Sequence, residues 1–266
     1  MKKKFSIIIP AYNCEKYIDI CIKSILTQDF RDYEIIVVDD CSNDKTYDLL
    51  KKYENVKVIR HDKNKKAGGA RNTGLKVANG EYIMFLDADD YLANSTVLTD
   101  VNKIIEEKGF PDIVYLGFRK VGKSEGVYIP DRESADLGVR LRTWKYQNVW
   151  DICWKKEFIE DNKLTFVEDR YYEDFVFYYE AILKAKTIAV AEFVTHIYTV
   201  YMEGNITSVN SVSIKKLKDT YSNLNIVLDL IEKTPQEYRK DMIDSVSTVI
   251  EYSLKLLKSA NDISFE

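Results

Sequence analysis

Phe5-Ser6-Ile7-Ile8-Ile9, Ile35-Ile36-Val37-Val38, Val56-Lys57-Val58-Ile59 and Tyr82-Ile83-Met84-Phe85-Leu86 are short apolar runs separated by segments with helical spacing. A strand that is apolar along its length must be covered on both faces. Such alternation therefore predicts an α/β fold with a mostly parallel central sheet and helices on both sides. In sheets of this kind ligands bind off the carboxyl ends of the strands. Three of the runs end in polar residues: Ala11-Tyr12-Asn13 after the first, Asp39-Asp40 after the second and Asp87-Ala88-Asp89-Asp90 after the fourth.

Between the strands, Asn13 reads as the cap of a helix carrying Tyr17, Ile18, Cys21, Ile22 and Ile25. A second amphipathic segment bears Tyr47, Leu50 and Tyr53, and Arg71 to Ala78 is helical in character. From Ile113 to Tyr201 short strands surround one strong helix, Tyr172 to Ala185. Beyond Thr207, Ile214, Leu217, Tyr221, Leu224, Leu228 and Ile231 form the apolar face of a helix. Thr234-Pro235-Gln236-Glu237 reads as a capping box opening another helix, with Tyr238, Met242, Val246, Val249 and Leu257 inward. The resulting division is an α/β domain over 1–207, in halves of 1–110 and 111–207, followed by a helical hairpin over 208–266.

The chain has 266 residues, a net charge of -4 and no basic cluster beyond Lys2 to Lys4, which argues against a nucleic-acid partner. Cys14, Cys21, Cys41 and Cys153 form no CxxC pair and read as the reduced thiols of a cytoplasmic protein. No run approaches the roughly 20 apolar residues of a membrane span. The expected location is the cytoplasm, free or peripheral at the inner face of the membrane.

Three carboxylates at the end of a buried strand repel one another, and burial raises their pKa values unless a cation compensates. Asp87, Asp89 and Asp90 therefore suit a hard divalent ion, Mn2+ or Mg2+, that could also bridge donor phosphates. The plain alternative is a turn in which Asp90 caps the next helix. A calcium loop is excluded, because Leu92 and Leu98 stand where glycine and glutamate are required. Asp39 and Asp40 could accept from a nucleobase or ribose, or serve with Ser42 as a helix start. Ala67 to Gly74 is glycine-rich but is no P-loop, since Leu75 occupies the lysine position. It could let backbone approach a phosphate with Arg71 as partner, or be a helix start with a flexible lead-in. Glu173-Asp174 opens a helix; acids there complement the dipole, and one could also act as a general base.

Together these segments resemble the family 2 glycosyltransferases of GT-A fold, over roughly residues 4–205. The resemblance rests on Ile9-Pro10-Ala11-Tyr12-Asn13, Val38-Asp39-Asp40-Cys41-Ser42 (where glycine is usual at Cys41), Ala70-Arg71-Asn72-Thr73-Gly74, Phe85-Leu86-Asp87-Ala88-Asp89-Asp90 and Glu173-Asp174. It implies inverting transfer of one sugar from a nucleotide-sugar, a UDP-sugar first, to a hydroxyl of a glycan, lipid-linked glycan or glycoprotein acceptor. It assigns Asp89 and Asp87 to the metal, Asp174 to the base with Glu173 as the weaker candidate, and Pro10, Tyr12, Asn13, Asp39, Asp40, Gly69, Arg71, Asn72, Asp87 and Ala88 to the donor. Processive synthases of similar fold carry Gln-x-x-Arg-Trp, absent from this sequence. Farther along the match weakens: Ile152 follows Trp150 where relatives carry lysine, and Tyr201 to Thr207 lacks their arginine and serine. His196 is weighed as a metal ligand against the commoner structural role. The rival readings are a sugar-1-phosphate nucleotidyltransferase, which would need a glycine-rich, arginine-bearing loop after the first strand, and a non-catalytic nucleotide-sugar-binding or assembly subunit. The helical hairpin offers a surface for a homodimer or a partner; its mixed charges favour packing on the catalytic domain or self-association.

Overall fold

β1 (Lys3–Ala11) lies between β2 (Tyr33–Asp39) and β4 (Gly80–Phe85), with β3 (Val56–Arg60) outside β2, and all four strands run parallel. They belong to a computed structural model that describes residues 3–142, 148–200 and 214–259. The connections are α1 (Ile18–Leu26), α2 (Thr46–Leu50) and α3 (Lys66–Val77). Strand side chains alternate between faces. Ile8, Ile36, Val38 and Phe85 thus enter one core with α3, while Ile7, Ile9, Ile35, Val37 and Met84 enter a second with α1, α2 and α4 (Val97–Glu107). This two-sided burial is what the continuous apolar runs require.

The second half of the sheet is mixed. β8 (Ile152–Lys155) pairs antiparallel with both β4 and β6 (Ile113–Gly122), and β9 (Ile188–Val200) runs parallel to β6. β5 (Tyr91–Leu92), directly after the acidic turn, pairs antiparallel with β9, and β7 (Gly126–Tyr128) folds back on β6. The strand order is therefore β3-β2-β1-β4-β8-β6-β9-β5. α5 (Leu137–Arg142) and α6 (Lys156–Asp161), too short to show a periodicity, join α7 (Glu173–Ile182) in this half.

Several local expectations change. Asn13 does not cap α1: its backbone is left-handed at φ 49°, and its amide oxygen accepts from Asn43 N–H at 2.8 Å. Gly68 and Gly69 lie inside α3, buried, rather than in a lead-in loop. Asp90 starts no helix; β5 follows it. Thr234 donates its hydroxyl to Leu230 O instead of capping α9 (Gln236–Ser259). α8 (Ile214–Lys233) turns only part of its expected apolar face inward: Leu224 is buried and Ile231 packs against the core, with Lys216, Asp219, Asn223 and Val227 buried as well, whereas Ile214, Tyr221 and Leu228 are exposed. In α9, Met242 and Val246 are buried and Tyr238 is partly so, while the side chains of Val249 and Leu257 lie outside the described residues. Tyr201 to Thr207 also lies outside them. No helix of the described residues is long and apolar enough to cross a membrane. All four cysteines are free thiols.

His196 of β9 is packed as a core residue. Its ring stacks on Phe118 and meets Trp150 edge-on, with centroids at 5.9 and 4.9 Å. The Thr195 hydroxyl donates to Gly117 O, so it can only accept at its 2.9 Å contact with Nδ1 of His196, which makes the imidazole a neutral Nδ1–H tautomer. Burial lowers its pKa to about 3. A histidine held neutral in the fold but free to titrate when unfolded contributes stability that is complete above the unfolded value. That stability declines, at up to about 1.4 kcal/mol per pH unit, as pH falls from near 6.5. Melting temperature measured against pH should therefore drop below about 6.5 more steeply in the wild type than in His196→Phe, which keeps the ring stack. Parallel curves would refute this assignment.

Candidate active site

The turn after β4 gathers the acidic cluster. Asp90 N–H bonds to Asp87 O at 3.0 Å, closing the turn, and Asp90 Oδ1 accepts Thr199 N–H at 2.8 Å, tying it to β9. Asp90 is buried, and burial with the charges of Asp89 and Asp87 holds it well above the usual carboxylate range. Asp87 and Asp89 remain partly open. Burial and the neighbouring Asp87 charge push Asp89 up to about 6. Asp87 and Asp89 form an all-oxygen donor pair, the chemistry of a hard divalent ion that fills its shell with water and phosphate oxygens. Among the described residues no three His, Cys, Asp or Glu side chains converge on a closed metal site. The turn thus fits an ion shared with a ligand better than one caged by protein. Ala88, buried between the two, contributes backbone only.

Arg71 of α3 connects this turn to the second acidic pair. Its side chain is 4% exposed; Nη2 donates to Asp87 Oδ1 at 2.8 Å and Nη1 to Glu173 Oε1. The guanidinium carbon lies 5.5 Å from the Phe166 ring centroid and 6.0 Å from that of Phe85. Close approach of α3 to the start of α7 depends on Gly68, where an added Cβ would fall 2.5 Å from Val167 O and 2.7 Å from Glu173 Cγ. Asn72 completes the junction by accepting Phe166 N–H and donating to Phe166 O, both at 2.9 Å. Asn72 thereby holds backbone, and Gly69 faces its own helix at Lys65. Burial pushes Glu173 up to about 7, against the pull of Arg71 and with a further push from Asp174. Burial also raises Asp174, with Arg71 opposing. Glu173 is buried on Arg71, whereas Asp174 is partly open and bonds Phe175 N–H at 3.0 Å. Of the two, Asp174 is the more exposed.

At the other end of the strand edge the loops after β1 and β2 are laced together. Asn13 N–H donates to Ser42 Oγ at 3.0 Å and Cys14 N–H to Thr46 Oγ1 at 2.8 Å. Cys41, where glycine is usual in the resembled family, is left-handed at φ 65°. Tyr12 stands 48% exposed beside Pro10, an open aromatic face at the sheet edge. Asp39 is fully buried beneath Arg60, whose Nε lies 3.2 Å from Asp39 Oδ2 and whose guanidinium covers the Tyr47 ring at 4.4 Å. Asp40 accepts Lys65 N–H at 2.8 Å and contacts His61 Nδ1 at 2.7 Å, while His61 Nε2 continues to Thr73 Oγ1 at 2.8 Å. Asp40 therefore joins β2 to the start of α3. Arg60 and His61 were not among the residues expected from sequence. They follow the same positional logic, because they stand at the carboxyl end of β3.

The sequence model of Glycosyl transferase family 2 matches residues 6–164. The chain is 30% identical over 252 residues to the poly(ribitol-phosphate) beta-N-acetylglucosaminyltransferase TarS of Staphylococcus aureus, covering 90% of this chain and 43% of TarS. It is 38% identical over 221 residues to the poly(ribitol-phosphate) beta-glucosyltransferase of Bacillus spizizenii, covering 77% of this chain and 34% of that protein. The crystal structure of S. aureus TarS 1-349 in complex with UDP-GlcNAc superposes with a TM-score of 0.73 at 29% identity, covering 85% of this chain and 66% of that one. The chain thus spans less than half the length of either curated relative.

Because Arg71 lowers both acids of α7, its removal should raise them. In Arg71→Gln the Glu173 carboxyl, followed by carbon-13 NMR, is expected to titrate above its value of about 7. The fold should lose about 3–5 kcal/mol, the cost of breaking a buried pair from one side. An unchanged or lower midpoint would show that Arg71 does not set these acids.

Proposed function

The chain belongs to glycosyl transferase family 2, and from that premise we propose that it is a metal-dependent inverting transferase moving one sugar from a UDP-sugar to an acceptor hydroxyl in bacterial surface-glycan synthesis. The observation carrying this reading is the single buried guanidinium of Arg71 holding Asp87 and Glu173 at once, so that donor-side and acceptor-side acids share one frame. The names of the two curated relatives and the UDP-GlcNAc in the TarS structure support a UDP-sugar donor and a polyol-phosphate or related glycan acceptor.

In this reading Tyr12 stacks on the base beside Pro10, and the laced loops around Asn13, Asp39 and Asp40 shape the nucleoside pocket. Asp89 and Asp87 would hold a Mn2+ or Mg2+ ion, which would supply positive charge against the diphosphate leaving group. Arg71 keeps Asp87 oriented, and Asn72 keeps its helix in place. Asp174 accepts the acceptor's hydroxyl proton as that oxygen attacks the anomeric carbon. Glu173, tied to Arg71, fixes the start of the helix that presents Asp174. A base must be ionised to act. Since burial raises Asp174, turnover should fall, as pH drops, at a pH above the usual carboxylate range.

A thermal-shift series tests the donor half. UDP with Mn2+ should raise the melting temperature, UDP with EDTA should do so less, and Asp89→Ala should abolish the metal-dependent part. In Asp174→Asn the UDP shift should persist while turnover falls about 10²- to 10⁴-fold. A shift indifferent to metal, or an Asp174→Asn enzyme turning over like wild type, would overturn the corresponding half. Full nucleotide binding without transfer to any surface-glycan acceptor would favour a donor-binding subunit.

A further inference from the structure

The segment delivering Asp174 is held from outside the catalytic sheet. Tyr172, immediately before α7, is left-handed at φ 60° and ψ 36°. For a residue with a Cβ this conformation costs about 1–2 kcal/mol and persists only where surroundings enforce it. The enforcing group is the Asn223 side chain of α8, only 1% exposed. Its Nδ2 donates to Tyr171 O at 2.9 Å and to Tyr172 O at 3.0 Å. Those carbonyls belong to the two peptide planes flanking the Tyr172 Cα, whose relative rotation is the φ and ψ of that residue. One amide therefore grips both planes. Carbonyls only accept, so Nδ2 must face them, and Arg170 Nη1 donates to Oδ1 at 3.3 Å from the other side. Asp219, one turn earlier, accepts Tyr171 N–H at 3.2 Å, and Lys215 donates to Asp169 O at 3.0 Å. Beside the buried Leu224 and Val227, the inward face of α8 thus carries polar side chains that bind backbone.

We infer that Asn223 is a positioning residue for the base: by holding Tyr172 left-handed it sets the direction in which Glu173 and Asp174 leave the loop, making α8 part of the catalytic frame. The inference rests on Asp174 being the base. Removing the clamp should let Tyr172 relax, swinging Asp174 away from the acceptor while the nucleotide end stays intact.

The test uses the full chain with Asn223→Leu, which keeps size but has no donor, and Asn223→Asp, which keeps the Arg170 partner but replaces Nδ2 by an acceptor. The readouts are UDP release from UDP-N-acetylglucosamine or UDP-glucose with Mn2+, and amide hydrogen exchange. Both variants should lose about 10- to 100-fold in kcat with donor KM changed by less than about twofold. Exchange should quicken in peptides spanning 169–175 and stay unchanged across the β4 turn. Adding Tyr172→Gly to Asn223→Leu should restore part of kcat, because glycine adopts the left-handed conformation without a Cβ penalty. Unchanged exchange in 169–175, wild-type kcat, or a uniform rise in exchange with a matching loss of donor binding would each overturn the inference. Asp174→Asn with wild-type kcat would instead sink the base assignment. If neither donor is turned over by the wild type, the exchange comparison still decides whether Asn223 holds the segment.

Discussion

The site depends on one buried ion cluster. Arg71 comes from α3, Asp87 from the turn after β4 and Glu173 from the first turn of α7, so three elements distant in sequence are fixed by one planar fork. A guanidinium suits this role because its donors diverge at fixed angles and it cannot lose its proton. Such a cluster is a weak source of stability, since desolvating the charges offsets most of their attraction. Its value is geometric. Phe85 and Phe166 lie against the guanidinium as an aromatic floor, and Gly68 lets the helices close to the required distance.

Much of the parallel half was legible because its signals are local. Ile7-Ile8-Ile9 and Ile35-Ile36-Val37-Val38 need cover on both faces whatever follows, and the acids at their ends stand where ligands meet such sheets. The second half was less legible for physical reasons. β8 sits antiparallel between β4 and β6, an arrangement set by packing rather than by its four residues, and α5 and α6 are too short for a period. At the site, sequence could propose carboxylates but not their partners. Nothing in the spacing says that His61 serves Asp40, that Arg60 covers Asp39, or that Asn72 serves a backbone amide near Phe166.

The face of α8 shows the same limit in a sharper form. Hydrophobic periodicity assumes that a helix docks by burying oil, and the Ile214–Tyr221–Leu228 stripe satisfies that assumption while remaining exposed. Beside Leu224 and Val227, the docking face offers Asp219 and Asn223, which bond the backbone of Tyr171 and Tyr172. An unsatisfied buried backbone group costs about 1–3 kcal/mol, comparable to what one buried leucine contributes. A polar face can therefore win where the surface it meets is itself polar backbone.

Charge balance gives the remaining constraint. Asp87, Glu173 and Asp174 crowd around one guanidinium with Asp89 beside Asp87, and burial raises Asp89, Glu173 and Asp174 together. An anionic diphosphate brought to this cluster alone would meet net repulsion, strengthened by the low dielectric. Either the acids take up protons or a cation enters with the ligand. Protonation would neutralise the acid needed as a base, so the two solutions are not equivalent for a transferase. A divalent ion held by Asp87 and Asp89 would offset the donor's charge without protonating the acid proposed as the base. On this reading, separating the two acidic pairs by Arg71 lets one site attract an anion and abstract a proton at once.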